Sequence, residues 1–273
     1  EQYLKALQWG LKNKNVKIHH LKGNKIFKYF NFTKLVNGGI YDVMHINATR
    51  RTTGIYAYIA KDFGDVKNVI FHSHMGGNDN KNNALDKLGI VLAKNFSDRL
   101  VSCSNTASEY MYGTRYCKKH NVLVLNNSIN LDNFKYNKKV REEYRKQLNL
   151  NGKFVLLNIG RFAQQKNQLR LIEVFKAVAK KDKTATLVLI GNGPLEEQIV
   201  AKIKELKLEN KVKILGSRND VNKIMQAADV FVMTSIHEGL PIVAVETQTS
   251  GLPLVLSSSI TKETDLTDNC AFV

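Results

Sequence analysis

Glu238 and Glu246 stand eight positions apart, one in the short polar turn His237-Glu238-Gly239 and the other on the helix that Pro241 opens. At the usual helical rise the two carboxylates are roughly 12 Å apart. That distance suits two parts of one elongated ligand better than one shared proton or metal ion. Pro at the first helical position sacrifices no hydrogen bond, because the opening amides of a helix have no internal partner. The free amides of Gly239, Leu240 and Ile242, with the positive end of the helix dipole, make a place where an anion can rest. Two cations follow the buried strand Phe154–Ile159 and Gly160. Arg161 offers a fork of donors suited to phosphate oxygens and Lys166 offers a point charge, so together they could clamp a diphosphate. The residue types alone also fit a plainer reading, in which Glu246 is a solvated helix residue, Glu238 a helix-start carboxylate and the cations ordinary surface groups.

Strands must carry these groups to one edge. The apolar runs Val230–Met233 and Leu254–Leu256 flank the turn and helix, and the same alternation recurs through the chain. Apolar spacing predicts helices over 3–14, 26–36, 53–61 and 84–95, with strands over 16–21, 43–47, 68–72 and 99–102. Ser104 then caps a helix through Tyr112, and a strand covers 122–125. A crossing segment over 136–151 leads to a helix over 168–180 and strands over 186–190 and 212–215. Pro194 starts one further helix, and Asp220 could cap another that runs to Ala227. Strands alternating with helices predict an α/β fold with parallel sheets covered on both faces. The expected division is a domain over 1–150 and a second over 151–273.

Composition narrows the class. The 273 residues are 43% hydrophobic, enough for two cores. No apolar run approaches the roughly 18 residues of a membrane span. Cys103, Cys117 and Cys270 form neither a metal spacing nor a disulfide framework, which fits a reducing, cytoplasmic setting. The net charge of +17 is uneven: residues 151–273 carry 16 Lys+Arg against 13 Asp+Glu, leaving 25 against 11 for residues 1–150. In the basic half, KIFKYFNF interleaves lysines with Phe27, Tyr29, Phe30 and Phe32. Such a segment suits an anionic membrane or a polyanion, unless its aromatics are buried against a sheet.

HEGLPIVAVE, taken with GRF…QKN, GNGP and GSRNDV in that order, resembles the retaining glycosyltransferases of family 4, of the bacterial capsular and exopolysaccharide type. The order and separation of the four make a specific signal, which no one of them does. The resemblance implies the GT-B fold, two Rossmann-like domains facing across a cleft, with chain missing at both ends. It matches Arg161 and Lys166 to the diphosphate clamp, and Glu246 to the ribose hydroxyls. Glu238 is matched to the sugar hydroxyls. Gly160, Gly239, Leu240 and Pro241 complete the donor site, and Ser217 and Arg218 would line the base pocket. His72, at the end of the strand over 68–72, is matched to the donor sugar, with His74 a weaker candidate. Two departures stand out: Asn127-Ser128-Ile129-Asn130 replaces the usual Asn-Gly-Ile-Asp turn, and the opening strand and glycine-rich turn are missing.

The implied reaction moves a sugar, with its configuration retained, from a nucleotide-diphosphate donor, by family frequency a UDP-sugar, to a polysaccharide or lipid-linked saccharide acceptor. No metal or other cofactor is expected, since the paired aspartates that would hold a cation are absent from the sequence. A peripheral place on the inner face of the cell membrane would suit the basic half, and no nucleic acid partner is expected. Two other readings remain open: a GT-B nucleotide-sugar epimerase, and a non-catalytic α/β protein that binds RNA or another polyanion.

Overall fold

The computed structural model describes residues 17–77 and 83–273; the helix expected over 3–14 lies outside them. The chain divides into two compact units. Among the described residues the first comprises 17–73, 83–102 and 111–123, and the second 74–77, 103–110 and 124–273.

In the first unit, helices α1 (Lys25–Val36), α2 (Gly54–Asp62) and α3 (Ala84–Phe96) accompany strands β1 (Val43–Ala48), β2 (Asn68–Ser73) and β3 (Arg99–Ser102). Helix α4 (Asn105–Tyr112), whose last two residues belong to this unit, and α5 (Thr114–Lys119) lead to β4 (Leu123–Val124). The sheet order is β1-β2-β3-β4, with Val43 opposite Asn68 and Ile70 opposite Arg99 in parallel register. Parallel pairing requires a crossover at each step, and the helices supply it. Asparagines start two of them: Asn24 accepts from the Phe27 amide at 3.1 Å and Asn83 from the Asp86 amide at 2.8 Å. Phe32, Val36 and Ile59 form a small core, with Phe32 and Tyr29 edge-on to Tyr56.

The strand expected over 16–21 is not formed in its described part, where residues 17–22 are coil. A strand needs a neighbour for its amides and carbonyls, and the outer edge of β1 carries none among the described residues. Helix α5 was not expected either. Helices α2 and α3 touch through their backbones at two glycines. A Cβ on Gly54 would lie 1.9 Å from the Gly89 carbonyl oxygen, and one on Gly89 would lie 2.3 Å from the Arg51 carbonyl oxygen. Gly54→Ala should therefore destabilise the first unit by about 2 kcal/mol or more by forcing the helices apart. Thermal unfolding measures this, and an unchanged transition would contradict the contact.

The second unit is a six-stranded parallel sheet. Its strands are β5 (Phe154–Ile159), β6 (Ala185–Ile190), β7 (Val212–Ile214), β8 (Val230–Met233), β9 (Leu254–Leu256) and β10 (Cys270–Phe272), in the order β10-β9-β8-β5-β6-β7. Helices α6 (Lys138–Gln147), α7 (Gln168–Lys181), α8 (Glu196–Glu205), α9 (Val221–Ala227) and α10 (Ile242–Thr249) accompany it. The strands are apolar on both faces because both are covered. Val155, Leu157, Phe231 and Met233 pack on one side, and Leu156 and Val232 on the other. The chain proceeds one way from β5 through β6 to β7, then returns to β8 on the other flank of β5. The carboxyl ends of β5 and β8 therefore mark the switch point where α/β sheets bind ligands.

Residues 124–150, assigned by the sequence to the first domain, lie with the second unit. The reason is a polar knot under the sheet. The Asp229 carboxylate takes Arg141 and Arg145 from α6 and the Val155 amide at the start of β5, while Tyr144 joins the core. Two helix starts also shift. Pro241 is the N-cap of α10 rather than its first residue, and α8 begins at Glu196, two residues after Pro194.

Candidate functional site

The loop after β5 and the loop after β8 are stitched to each other. The Ile236 amide donates to the Gln165 carbonyl at 2.8 Å, and the Gln165 side chain returns a bond to the His237 carbonyl at 2.9 Å. Thr234 donates to the carbonyls of Lys166, at 3.3 Å, and Asn167, at 2.9 Å. Asn167 itself turns left-handed, with φ 53°. This stitching sets the main feature of the site: Lys166 Nζ lies 2.6 Å from Glu238 Oε1, and Glu238 is 9% exposed. A carboxylate so buried persists because its partner is a charge-assisted donor. Arg161 projects from the same strand end, exposed and with no protein partner for its guanidinium among the described residues. The structure thus brings Gly160, Arg161, Lys166 and Glu238 to one sheet edge, with one cation pre-engaged and one available.

The turn over 239–241 is held from behind. Asn127 donates to the Leu240 carbonyl at 2.9 Å, and Ser104 Oγ to the Gly239 carbonyl at 3.4 Å. Burial pushes up the thiol of Cys103, which lies behind the turn. The Leu240 side chain is buried with Cys103 and Ala107. The double glycine after His74 serves close approach to this turn. A Cβ on Gly76 would lie 2.1 Å from the Glu238 carbonyl oxygen, and one on Gly77 would lie 2.6 Å from His237 Cβ. Glu246 follows on α10, half-buried.

Glu263 anchors this buttress. Its carboxylate receives the Asn105 amide at 2.8 Å and the Thr106 amide at 3.0 Å, with both side chains adding bonds at 2.9 and 3.1 Å. Burial pushes its carboxyl up, but the donors from Asn105 and Thr106 together outweigh it and hold it below the usual carboxylate range. A depressed folded-state pKa contributes stability above the unfolded value near 4.3, and loses it as pH falls through the folded value. Glu263→Gln should therefore be less stable than the parent by about 1 kcal/mol at neutral pH. The gap should close below about pH 4. Denaturant unfolding across that range checks it; a gap that did not change with pH would contradict the assignment.

The remaining sequence candidates separate. Ser217 is exposed beyond β7, and Arg218 is held by Asp220, Nε to Oδ1 at 2.9 Å and Nη2 to Oδ2 at 2.7 Å. Tyr144 donates to the same carboxylate at 3.0 Å. The Asp220 side chain is thus occupied by Arg218 and Tyr144 and does not cap α9. In the GNGP turn, the close approach is to protein. A Cβ on Gly191 would lie 2.0 Å from the Gly160 carbonyl oxygen, and one on Gly193 would lie 2.4 Å from that of Phe162. His72 belongs to the first unit, 5% exposed at the end of β2. There the structure adds a residue the sequence did not single out: the His45 ring stacks on His72 with Nε2 3.3 Å from His72 Nδ1. Thr234, Cys103 and Glu263 were likewise missed, while Gln165 and Asn127 entered only as members of the QKN motif and of the departing turn. Alternation on β1 could have placed His45 beside the end of β2, but bonds spanning more than 60 residues leave no local pattern. No cluster of three potential metal ligands occurs among the described residues.

Two Rossmann-like α/β units, each on a parallel sheet, define the GT-B fold. HepE of Anabaena, in its crystal structure with UDP, superposes with a TM-score of 0.76 over 90% of this chain and 68% of its own, at 21% identity. Within that class, residues 140–266 match the family described as glycosyl transferases group 1. EpsF of Bacillus subtilis, named as a candidate glycosyltransferase, is 29% identical over 83% of this chain. The UDP-Gal:alpha-D-GlcNAc-diphosphoundecaprenol alpha-1,3-galactosyltransferase of Escherichia coli is 28% identical over 82% of it. This chain spans 60% of the length of each of these two relatives.

Proposed function

We propose that the protein is a retaining glycosyltransferase of the family 4 type, which moves a sugar from a UDP-sugar to a growing polysaccharide or lipid-linked saccharide. The observation that carries this reading is the Lys166–Glu238 pair beside Arg161 at the switch point of the second sheet. Two relatives support the chemistry: HepE is solved with UDP, and the Escherichia coli enzyme is named for a UDP-Gal donor and a diphosphoundecaprenol acceptor. The hard part of such a transfer is the negative charge that grows on the departing diphosphate. Arg161, Lys166 and the helix-start amides near Gly239 and Leu240 would meet that charge as it develops, with no metal ion required. Glu246 would accept bonds from the ribose hydroxyls and Glu238 from the sugar. Ser217 and Arg218 would line the base pocket, and His72 would contact the sugar.

The test is transfer itself. The protein is incubated with UDP-sugars and a synthetic lipid-diphosphate saccharide, and the product's anomeric configuration is read by NMR. A product that keeps the donor's configuration supports the proposal. An inverted product, or isomerised UDP-sugar without any acceptor, would replace it with another reaction.

A further inference from the structure

Helix α1 is apolar on two sides, and among the described residues one of them faces protein. Phe32 and Val36 are buried and Tyr29 is half-buried against Tyr56. Ile26, Phe27 and Phe30 stand 77%, 60% and 56% exposed on a neighbouring face, set apart by the roughly 100° step between successive helical residues. Large apolar side chains grouped on a surface mark an interaction site more often than a scatter of single ones.

The charge around this face says what it fits. Lys17, Lys22, Lys25, Lys28 and Lys34 are all exposed, and no Asp or Glu occurs from residue 17 through residue 41. Lys34 lies over the Phe30 ring, 4.5 Å from its centroid, so cation and aromatic share one patch. A protein partner would match the apolar side chains with apolar ones and gain little from five exposed lysines. A nucleic acid would use the lysines and leave the aliphatic Ile26 in water. An anionic bilayer takes both, with rings and the Ile side chain sinking to the acyl boundary while lysines stay among the headgroups.

We propose that Ile26, Phe27 and Phe30, with Lys22, Lys25, Lys28 and Lys34, form a docking face for an anionic lipid surface. This goes beyond the donor-site reading and does not depend on it, because binding to lipid is measured with no nucleotide or acceptor present. Each lysine near such a surface adds roughly fivefold to binding.

The experiment is co-sedimentation with vesicles of phosphatidylcholine alone and of phosphatidylcholine mixed with phosphatidylglycerol. It compares the parent with two double variants, Phe27→Ser with Phe30→Ser, and Lys25→Glu with Lys28→Glu. The parent should bind the anionic vesicles at least about tenfold more tightly than the neutral ones. The aromatic variant should lose about tenfold on anionic vesicles, and the charge-reversed variant about 25-fold or more. All four side chains face solvent, so unfolding temperatures should match the parent's, and that measurement separates lost binding from lost fold. Absence of parent binding to anionic vesicles would overturn the proposal. So would an aromatic variant that binds like the parent, which would leave a face that takes polyanions by charge alone.

Discussion

Lys166→Ala and Glu238→Ala are expected to move UDP affinity in opposite directions. In the free protein Lys166 is held 2.6 Å from Glu238, so a diphosphate arriving at the end of β5 must share a cation already engaged. Removing Lys166 deletes a charge-assisted donor worth about 1.5–3 kcal/mol, so UDP should bind roughly 10- to 100-fold more weakly. It also leaves a nearly buried carboxylate without its partner, and the free protein should lose about 1–3 kcal/mol of stability. Removing Glu238 instead takes a negative charge out of the site and frees Lys166, so UDP should bind several-fold more tightly. Sugar transfer should nevertheless fall by about 100-fold, because the group proposed to meet the sugar is gone. Titration calorimetry with UDP and a transfer assay separate these effects. A loss of UDP affinity in both variants would mean that the pair only holds the fold.

The largest expected effect on stability lies far from the ligand edge, at Asp229. Its carboxylate gathers two guanidinium groups and the Val155 amide, and so joins α6 to the amino-terminal side of the sheet. Arg145 and Asp229 are 13% and 21% exposed, so solvent screens the group only partly. Asp229→Ala would leave two half-buried arginines facing each other, at a cost of about 3 kcal/mol. At roughly 2–4 °C per kcal/mol for a unit of this size, the melting temperature should fall by about 6–12 °C. Asp229→Asn should fall by less, because it keeps an acceptor. A shift near zero in the alanine variant would show that α6 is held by its apolar side alone.

The sheet of the second unit was legible except at Cys270–Phe272, because each of its other strands is a short apolar run ended by a polar turn. For β5 and β8 the structure reproduces the sequence bounds. The cations and carboxylates at their ends were legible for the same reason, since a residue just past a parallel strand is carried to the ligand edge whatever its neighbours do. What the sequence hid was pairing. Lys166 and Glu238 read as two separate ligand groups, yet they lie within one hydrogen bond of each other because β5 and β8 are adjacent, a fact of strand order rather than of spacing. Pro194 and Pro241 located their turns but not the first helical residue, since proline is equally at home one or two positions outside a helix. The first unit was less legible. Its aromatics on α1 divide between core and solvent, and only packing against Tyr56 shows which do which.

Binding of a nucleoside diphosphate at the ends of β5 and β8 is reached directly by thermal unfolding with UDP, GDP and ADP, repeated on Arg161→Ala. A nucleotide at about 100 times its dissociation constant adds roughly 2.7 kcal/mol to stability. Arg161 is exposed, so its loss should leave the free protein unchanged. UDP should raise the transition of the parent more than GDP or ADP does, and Arg161→Ala should melt with the parent when free but gain little from UDP. Equal stabilisation of parent and variant, or none of the parent by any nucleotide, would contradict binding there.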